Sequence, residues 1–141
     1  MIGLIWNIRG IGNKLSQRRV KFLREVHKLQ FLAIIEPMIP LNHEYMKRMF
    51  GFRGVHANIS NKIWIFVDDS ISLEILQDHE QFLHVKMESP LFPSAVLVTV
   101  VYAKCTRLLR SVLWEDLLDL QVPNDLPWIL GGDFNAIVDP L

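Results

Sequence analysis

The sequence predicts an α/β fold, a layered sandwich in which helices cover sheets. Two observations predict it. The order of elements reads strand–helix–strand–helix, then many strands, then helix–strand, with no linker, low-complexity stretch or repeat. The composition is globular: of 141 residues, 50% are apolar and 21% charged, which is too apolar for a disordered chain and short enough for one domain or part of one.

Each element has a local reason. Ile2 to Trp6 is a short apolar run that stops at the polar turn Asn7-Ile8-Arg9-Gly10-Ile11-Gly12. A helix is predicted from about Lys14, with Ser16 as its capping residue. Leu15, Phe22, Leu23, Val26 and Leu29 recur on its apolar face, and Arg18, Arg19, Lys21, Arg24, Glu25 and Lys28 cover the rest. Phe31-Leu32-Ala33-Ile34-Ile35 is continuously apolar and ends at Glu36-Pro37, the pattern of a strand buried on both faces. Leu41 to Phe50 reads as a short helix closed by Gly51. Strands are predicted at Arg53 to Asn58, Lys62 to Val67, Ile71 to Leu76, Phe82 to Met87 and Ala95 to Tyr102. Asn61, Asp68-Asp69-Ser70 and Pro90-Leu91-Phe92-Pro93 supply turns between them. Leu108, Leu109, Val112, Leu113, Leu117 and Leu120 recur at helical spacing, and Pro123 ends that helix. Trp128-Ile129-Leu130 is a last short strand, followed by Gly131-Gly132-Asp133-Phe134-Asn135.

Charge and cysteine content exclude some chemistry. Fifteen basic and fifteen acidic residues cancel, so net charge argues neither for nor against nucleic acid. The single Cys105 cannot form an internal disulfide or a cysteine zinc site, which makes a reducing, intracellular setting the default expectation. No apolar stretch approaches the roughly 20 residues needed to span a bilayer, so no membrane partner is expected. His27, His43, His56, His79 and His84 lack metal-ligand spacing.

The chemistry-bearing residues fall at strand ends, where α/β folds place ligands. The first strand ends at Asn7, the second at Glu36, the fifth of the strand block at Tyr102, and the last at Asp133 and Asn135. If these strands lie side by side, two carboxylates, two amides and a phenol gather at one rim. Carboxylate and amide oxygens are hard ligands suited to magnesium or manganese. A nearby carboxylate can activate water, and amide and phenol donors can hold phosphate oxygens. Taken singly, each has a plainer reading. Asn7, Asp133 and Asn135 lie within three residues of glycines, as turn formers do. Glu36 before Pro37 is also an exposed strand end, and Tyr102 also an edge-of-core aromatic.

Their co-occurrence in order resembles the endonuclease/exonuclease/phosphatase superfamily. Trp6-Asn7-Ile8-Arg9-Gly10 is similar to its opening W-N-x-x-G, Ile35-Glu36-Pro37 to its strand-end glutamate, Val101-Tyr102-Ala103 to its V-Y-x, and Gly132-Asp133-Phe134-Asn135 to its G-D-F-N. Together with Met38 and Ile63-Trp64-Ile65-Phe66, these residues look most like endonuclease domains of plant non-LTR (LINE-type) retrotransposons. The resemblance implies that residues 1–141 form the N-terminal portion of a four-layer α/β sandwich, two mixed or antiparallel sheets flanked by helices. It implies one or two magnesium or manganese ions held by Glu36 with Asn7 beside it, water oriented by Asp133, and a scissile phosphate contacted by Asn135 and Tyr102. DNA is the implied partner, and a nuclear role follows from the resemblance only.

Departures from the pattern carry consequences. Arg9 stands where abasic-site repair nucleases carry an acid. Pro37 replaces a common threonine, and Asn61-Lys62 replaces a frequent glycine pair. The family's later half supplies further strands and an Asp-His pair, and no histidine follows Asp133 here. The resemblance therefore implies an incomplete domain with an exposed sheet, covered by its missing half or by another chain, and weak or absent nuclease activity. A phosphatase or phospholipase of the same superfamily and a non-catalytic remnant are the competing readings.

Overall fold

A computed structural model describes residues 1–136; the last five residues of the expected 1–141 domain lie outside it. Two four-stranded sheets stack face to face. The first contains β1 (Gly3–Asn7), β2 (Phe31–Ile35), β3 (Gly54–Ala57) and β4 (Ile63–Val67) in the order β1-β2-β4-β3. The second contains β5 (Ser72–Asp78), β6 (Phe82–Glu88), β7 (Val96–Tyr102) and β8 (Trp128–Asp133) in that order. Both sheets are mixed. β1 pairs parallel to β2 and β7 parallel to β8, and the remaining pairs are antiparallel.

Alternation along the strands divides the core into layers. Phe31, Ala33 and Ile35 of β2 and Ile63, Ile65 and Val67 of β4 face Leu83, Val85, Met87, Val98 and Val100 of the second sheet. Leu32, Ile34, Trp64 and Phe66 point the other way, against Val20 of α1 (Lys14–His27) and Met46 and Phe50 of α2 (His43–Phe50). Phe82, Val101 and Ala103 on the outer face of the second sheet meet Leu113 and Leu117 of α3 (Arg107–Leu118). The order helices, sheet, sheet, helix is the four-layer α/β arrangement expected. Each large apolar side chain fully buried in it contributes about 1.5–3 kcal/mol.

The helices depart from the sequence reading in face and cap. Val20, Leu23 and Leu29 join the core, whereas Leu15, Phe22 and Val26 are exposed. Asn13, not Ser16, caps α1: its Oδ1 accepts from the Ser16 backbone amide at 2.8 Å. The helix starts at Lys14 as expected, and only the capping residue differs. In α3 only Leu113 and Leu117 are buried, and Leu108, Leu109, Val112 and Leu118 face outward.

Two buried polar clusters fix the sheets. Asn58 Oδ1 accepts from the Lys62 and Ile63 amides, each at 3.0 Å, while its Nδ2 donates to the His79 carbonyl at 2.9 Å. One side chain thus closes the β3–β4 turn and ties it to the β5–β6 turn of the other sheet. Thr99, on β7, joins its neighbours on both sides. Its Oγ1 lies 2.7 Å from His84 Nδ1 on β6 and accepts from Trp128 Nε1 on β8 at 2.8 Å. Burial holds the His84 imidazole below its usual pKa, which favours the neutral ring in this network.

β8 is held on one edge only. Trp128, Ile129 and Leu130 are all at least two-fifths exposed, an uncharged apolar edge of the kind that natural sheets cover or interrupt. The Thr99 hydroxyl is therefore expected to matter out of proportion to its size. Thr99→Val keeps the shape but strands the Trp128 and His84 nitrogens, and is expected to lower unfolding free energy by about 1–3 kcal/mol. Urea denaturation followed by tryptophan fluorescence checks this; an unchanged midpoint would contradict it.

Candidate active site at the paired strand ends

β1, β2, β7 and β8 end at one rim, and the side chains named from the sequence meet there. Asn7 is the last residue of β1, opposite Ile35 in register, and Glu36 follows β2 directly. In the other sheet Tyr102 and Asp133 are register partners at the ends of β7 and β8. At this rim the Asn7 amide bridges the two sheets. Asn7 Nδ2 donates to Glu36 Oε1 at 3.1 Å and to Asp133 Oδ2 at 2.8 Å. The accepting carboxylate oxygens therefore sit within two hydrogen-bond lengths of each other. Asn7 Oδ1 is buried with no partner, a cost of about 1–3 kcal/mol for a neutral polar group.

The backbone at this rim is bent to place these groups. Arg9, Glu36, Met38 and Asn135 all have positive φ, at 51°, 55°, 63° and 46°. For non-glycine residues this is uncommon and costs about 1–3 kcal/mol each where the side chain has no local compensation. Hydrogen bonds hold the turn: the Gly10 amide donates to the Glu36 carbonyl at 2.8 Å, and the Glu36 amide to the Lys62 carbonyl at 2.9 Å. Asn61, where a glycine pair was noted as missing, adopts φ 58° itself. Its side chain accepts from Trp64 Nε1 at 2.7 Å and donates to the Ile39 carbonyl at 2.9 Å.

The glycine pair before Asp133 has a steric reason. A Cβ on Gly131 would lie 2.9 Å from Ile5 Cδ1 of β1. A Cβ on Gly132, which has φ 139°, would lie 2.7 Å from the Val101 amide nitrogen and collide with that residue's carbonyl oxygen. Glycine at both positions lets β8 approach β7 and the opposite sheet closely enough to bring Asp133 to Asn7.

Asn135 is positioned by Ala103, which the sequence did not single out. The Ala103 amide donates to the Asp133 carbonyl at 2.8 Å, and the Ala103 carbonyl accepts from Asn135 Nδ2 at 2.7 Å. Asp133 Oδ1 also accepts from the Asn135 amide at 3.0 Å. The only sequence signal for this role is the place of Ala103 directly after Tyr102, since its groups are backbone groups.

Asn7, Gly131, Gly132, Asp133, Phe134 and Asn135 line an open depression of about 700 Å³. A larger one, about 850 Å³, lies at the opposite end of the sheets beside Arg53, Asp68 and Glu88. There Asp68 is already bonded to the Ser70 amide and hydroxyl. Among the described residues no three His, Cys, Asp or Glu side chains cluster as a metal site. The rim offers two carboxylates and an amide oxygen, a hard-oxygen donor set. The Asn7 amide between two carboxylates, with its own Oδ1 unpartnered, is the feature that fits a divalent cation.

No protein-family model matches this sequence, and no curated protein matches it. Solved structures do. The endonuclease domain of TRAS1, a telomere-specific non-LTR retrotransposon, superposes with a TM-score of 0.67 at 19% identity, over 96% of this chain and 60% of that one. A humanized D. rerio TDP2 gives 0.70 at 16% identity, over 96% of this chain and 63% of that one. An endonuclease/exonuclease/phosphatase family protein from Bacteroides thetaiotaomicron gives 0.66 at 14% identity, over 94% and 62%. The chain thus has the α/β fold of endonuclease/exonuclease/phosphatase proteins and spans less than two thirds of the length of these three.

Tyr102 reports the electrostatics of the rim. Burial, then the adjoining Glu36 carboxylate by hydrogen bonding and charge, then Cys105 and Asp133, push its phenol up from 10.0 to about 12. The fold thus favours the neutral phenol. That stabilisation is complete below pH 10 and is lost as pH rises through about 12. In an ultraviolet titration, wild type should show a late phenolate step that Tyr102→Phe lacks. A Tyr102 step at an ordinary phenol pKa would contradict this electrostatic picture.

Proposed function

We propose that residues 1–141 form part of a magnesium-dependent phosphodiesterase domain that hydrolyses DNA strands, of the kind found in LINE-type retrotransposon endonucleases. The observation that carries this reading is the Asn7 amide shared between Glu36 and Asp133, with its own oxygen left unpartnered. The fold neighbours support the hydrolase class, and the TRAS1 domain supports DNA within it.

In this reading Glu36 and Asn7 hold the ion. When bound, magnesium or manganese would supply Lewis-acid polarisation of a phosphoryl oxygen and stabilise the leaving oxygen. Asp133 orients water through the carboxylate it now offers to Asn7, and accepts the proton lost as water attacks. Tyr102 remains an O–H donor at working pH because its phenol ionises only near 12, and it offers that hydrogen to a phosphate oxygen. Asn135, anchored at Ala103 and bonded through its amide to Asp133, is a second phosphate contact.

We further propose that this chain alone hydrolyses slowly, because the exposed apolar β8 leaves the strand end that carries Asp133 paired on one side only. The exposed Trp128-Ile129-Leu130 edge is proposed to be covered in the working enzyme by the rest of the domain or by another chain.

Calorimetric titration with magnesium should show saturable binding that Glu36→Ala abolishes and Asn7→Ala weakens at least tenfold. Supercoiled plasmid with magnesium should be nicked slowly, and Asp133→Ala should remove that residual activity. Undiminished magnesium binding by Glu36→Ala would overturn the site; turnover of an inositol phosphate or lipid phosphodiester in place of DNA would overturn the substrate.

A further inference from the structure

The zero net charge hides a partition. Residues 1–53 hold ten of the fifteen Lys and Arg and three of the fifteen Asp and Glu; residues 54–141 hold five and twelve. The surplus of cations is concentrated on the outermost layer. Lys14, Arg18, Arg19, Lys21, Arg24 and Lys28 belong to α1 and its C-cap, with Glu25 as the one acid among them, and Lys47 and Arg48 belong to α2. Lys14, Arg18, Lys21 and Lys28 recur at spacings of three, four and seven, which places them on one face of α1.

Helix stability does not account for this placement. Cations favour a helix C-terminus, so Arg24, Lys47 and Arg48 in the last turns have a local reason. Lys14 and Arg18 do not: the first turn of α1 has no acid, Lys14 within it opposes the dipole, and Arg18 lies beyond the dipole's reach. Ion pairing does not account for it either. Among the described residues no Lys or Arg of α1 pairs with a carboxylate, and on α2 only Lys47 does, with Glu44. Unneutralised like charges on adjacent helices repel and cost stability unless a polyanion joins them.

The surface is also shaped. Lys21 and Arg24 of α1, its C-cap Lys28 and Arg48 of α2 line a groove of about 440 Å³ that holds one acid, Glu25. Arg24 is held in place: its guanidinium lies 4.5 Å from the centre of the Phe52 ring and donates to the Gly51 carbonyl at 3.2 Å. α1 descends from the loop that follows Asn7, so the line of cations runs from the candidate site toward the far end of the sheet. Its 14 residues span about 21 Å, roughly six phosphate spacings of one DNA strand.

We propose that the outer face of α1 and α2 is a second nucleic-acid contact, a groove that binds the phosphate backbone away from the strand-end rim. The choice of nucleic acid as the polyanion rests on the hydrolase reading above. An anionic membrane is the competing partner, because Leu15, Phe22 and Val26 are exposed on the same helix. The cations favour nucleic acid because they continue off α1 into a concave groove, which fits a rod-like backbone and not a flat bilayer.

The test is fluorescence anisotropy with a labelled duplex oligonucleotide in EDTA, over a series of KCl concentrations. Wild-type affinity should fall steeply with salt, with a log–log slope of about −0.9 per phosphate engaged. The exposed triple variant Lys21→Glu/Lys28→Glu/Arg48→Glu should bind at least tenfold more weakly at low salt, with a slope smaller by about two to three. Arg107→Glu on α3, equally basic but outside the groove, should leave binding unchanged, and circular dichroism should show the triple variant folded. Binding by the triple variant equal to wild type would overturn the proposal. So would capture of wild type by phosphatidylserine vesicles under conditions where the duplex stays free. Intact groove binding with no plasmid nicking in magnesium would contradict the hydrolase reading and leave the groove standing.

Discussion

The hydrogen bonds of one amide, Asn7 Nδ2 to Glu36 and to Asp133, join the two sheets at their strand ends. Everything else at the rim is arranged so that this junction can form. β1 and β2 run parallel, so Asn7 and Glu36 emerge at the same end. β7 and β8 run parallel in the other sheet, so Tyr102 and Asp133 emerge together too. A parallel pair at each sheet is what lets four side chains from distant parts of the sequence share one surface. The remaining strand pairs are antiparallel and build the core beneath.

The junction is stabilised and strained at once. It places two carboxylates close together, leaves Asn7 Oδ1 buried without a partner, and requires several non-glycine residues to take left-handed backbone angles. Such features cost stability and persist where surrounding structure enforces them, commonly at functional sites. Here the enforcement comes from the buried sheets below, from backbone bonds between the β1 and β2 exits, and from Gly131 and Gly132, whose missing side chains allow the sheets to close.

The fold was legible from the sequence where burial is uniform. Phe31–Ile35 is a strand with those bounds because every residue is apolar and every residue is buried. The helices were less legible. Leu15, Phe22 and Val26 look like part of the core stripe with Leu23 and Leu29, yet they are exposed, and Val20 packs on the sheet beside Leu23. A hydropathy pattern states which residues are apolar, not which side of a helix the sheet occupies. β5 runs on to Asp78, past the expected end at Leu76, through an irregularity between Ile75 and Gln77 that breaks strict alternation. At the site, Asn7, Glu36 and Asp133 were legible as polar residues closing apolar runs. The part played by Ala103 was not, because it acts through its amide and carbonyl, which every residue but proline possesses.

The central claim is that the Asn7–Glu36–Asp133 junction is a divalent-cation site. Crystals grown with manganese, measured near the manganese absorption edge, test it most directly. The account predicts an anomalous peak within bonding distance of the Glu36 carboxylate and the Asn7 side-chain oxygen. A strong peak at another place, or none while the Asn7 amide still bridges the two carboxylates, would contradict it.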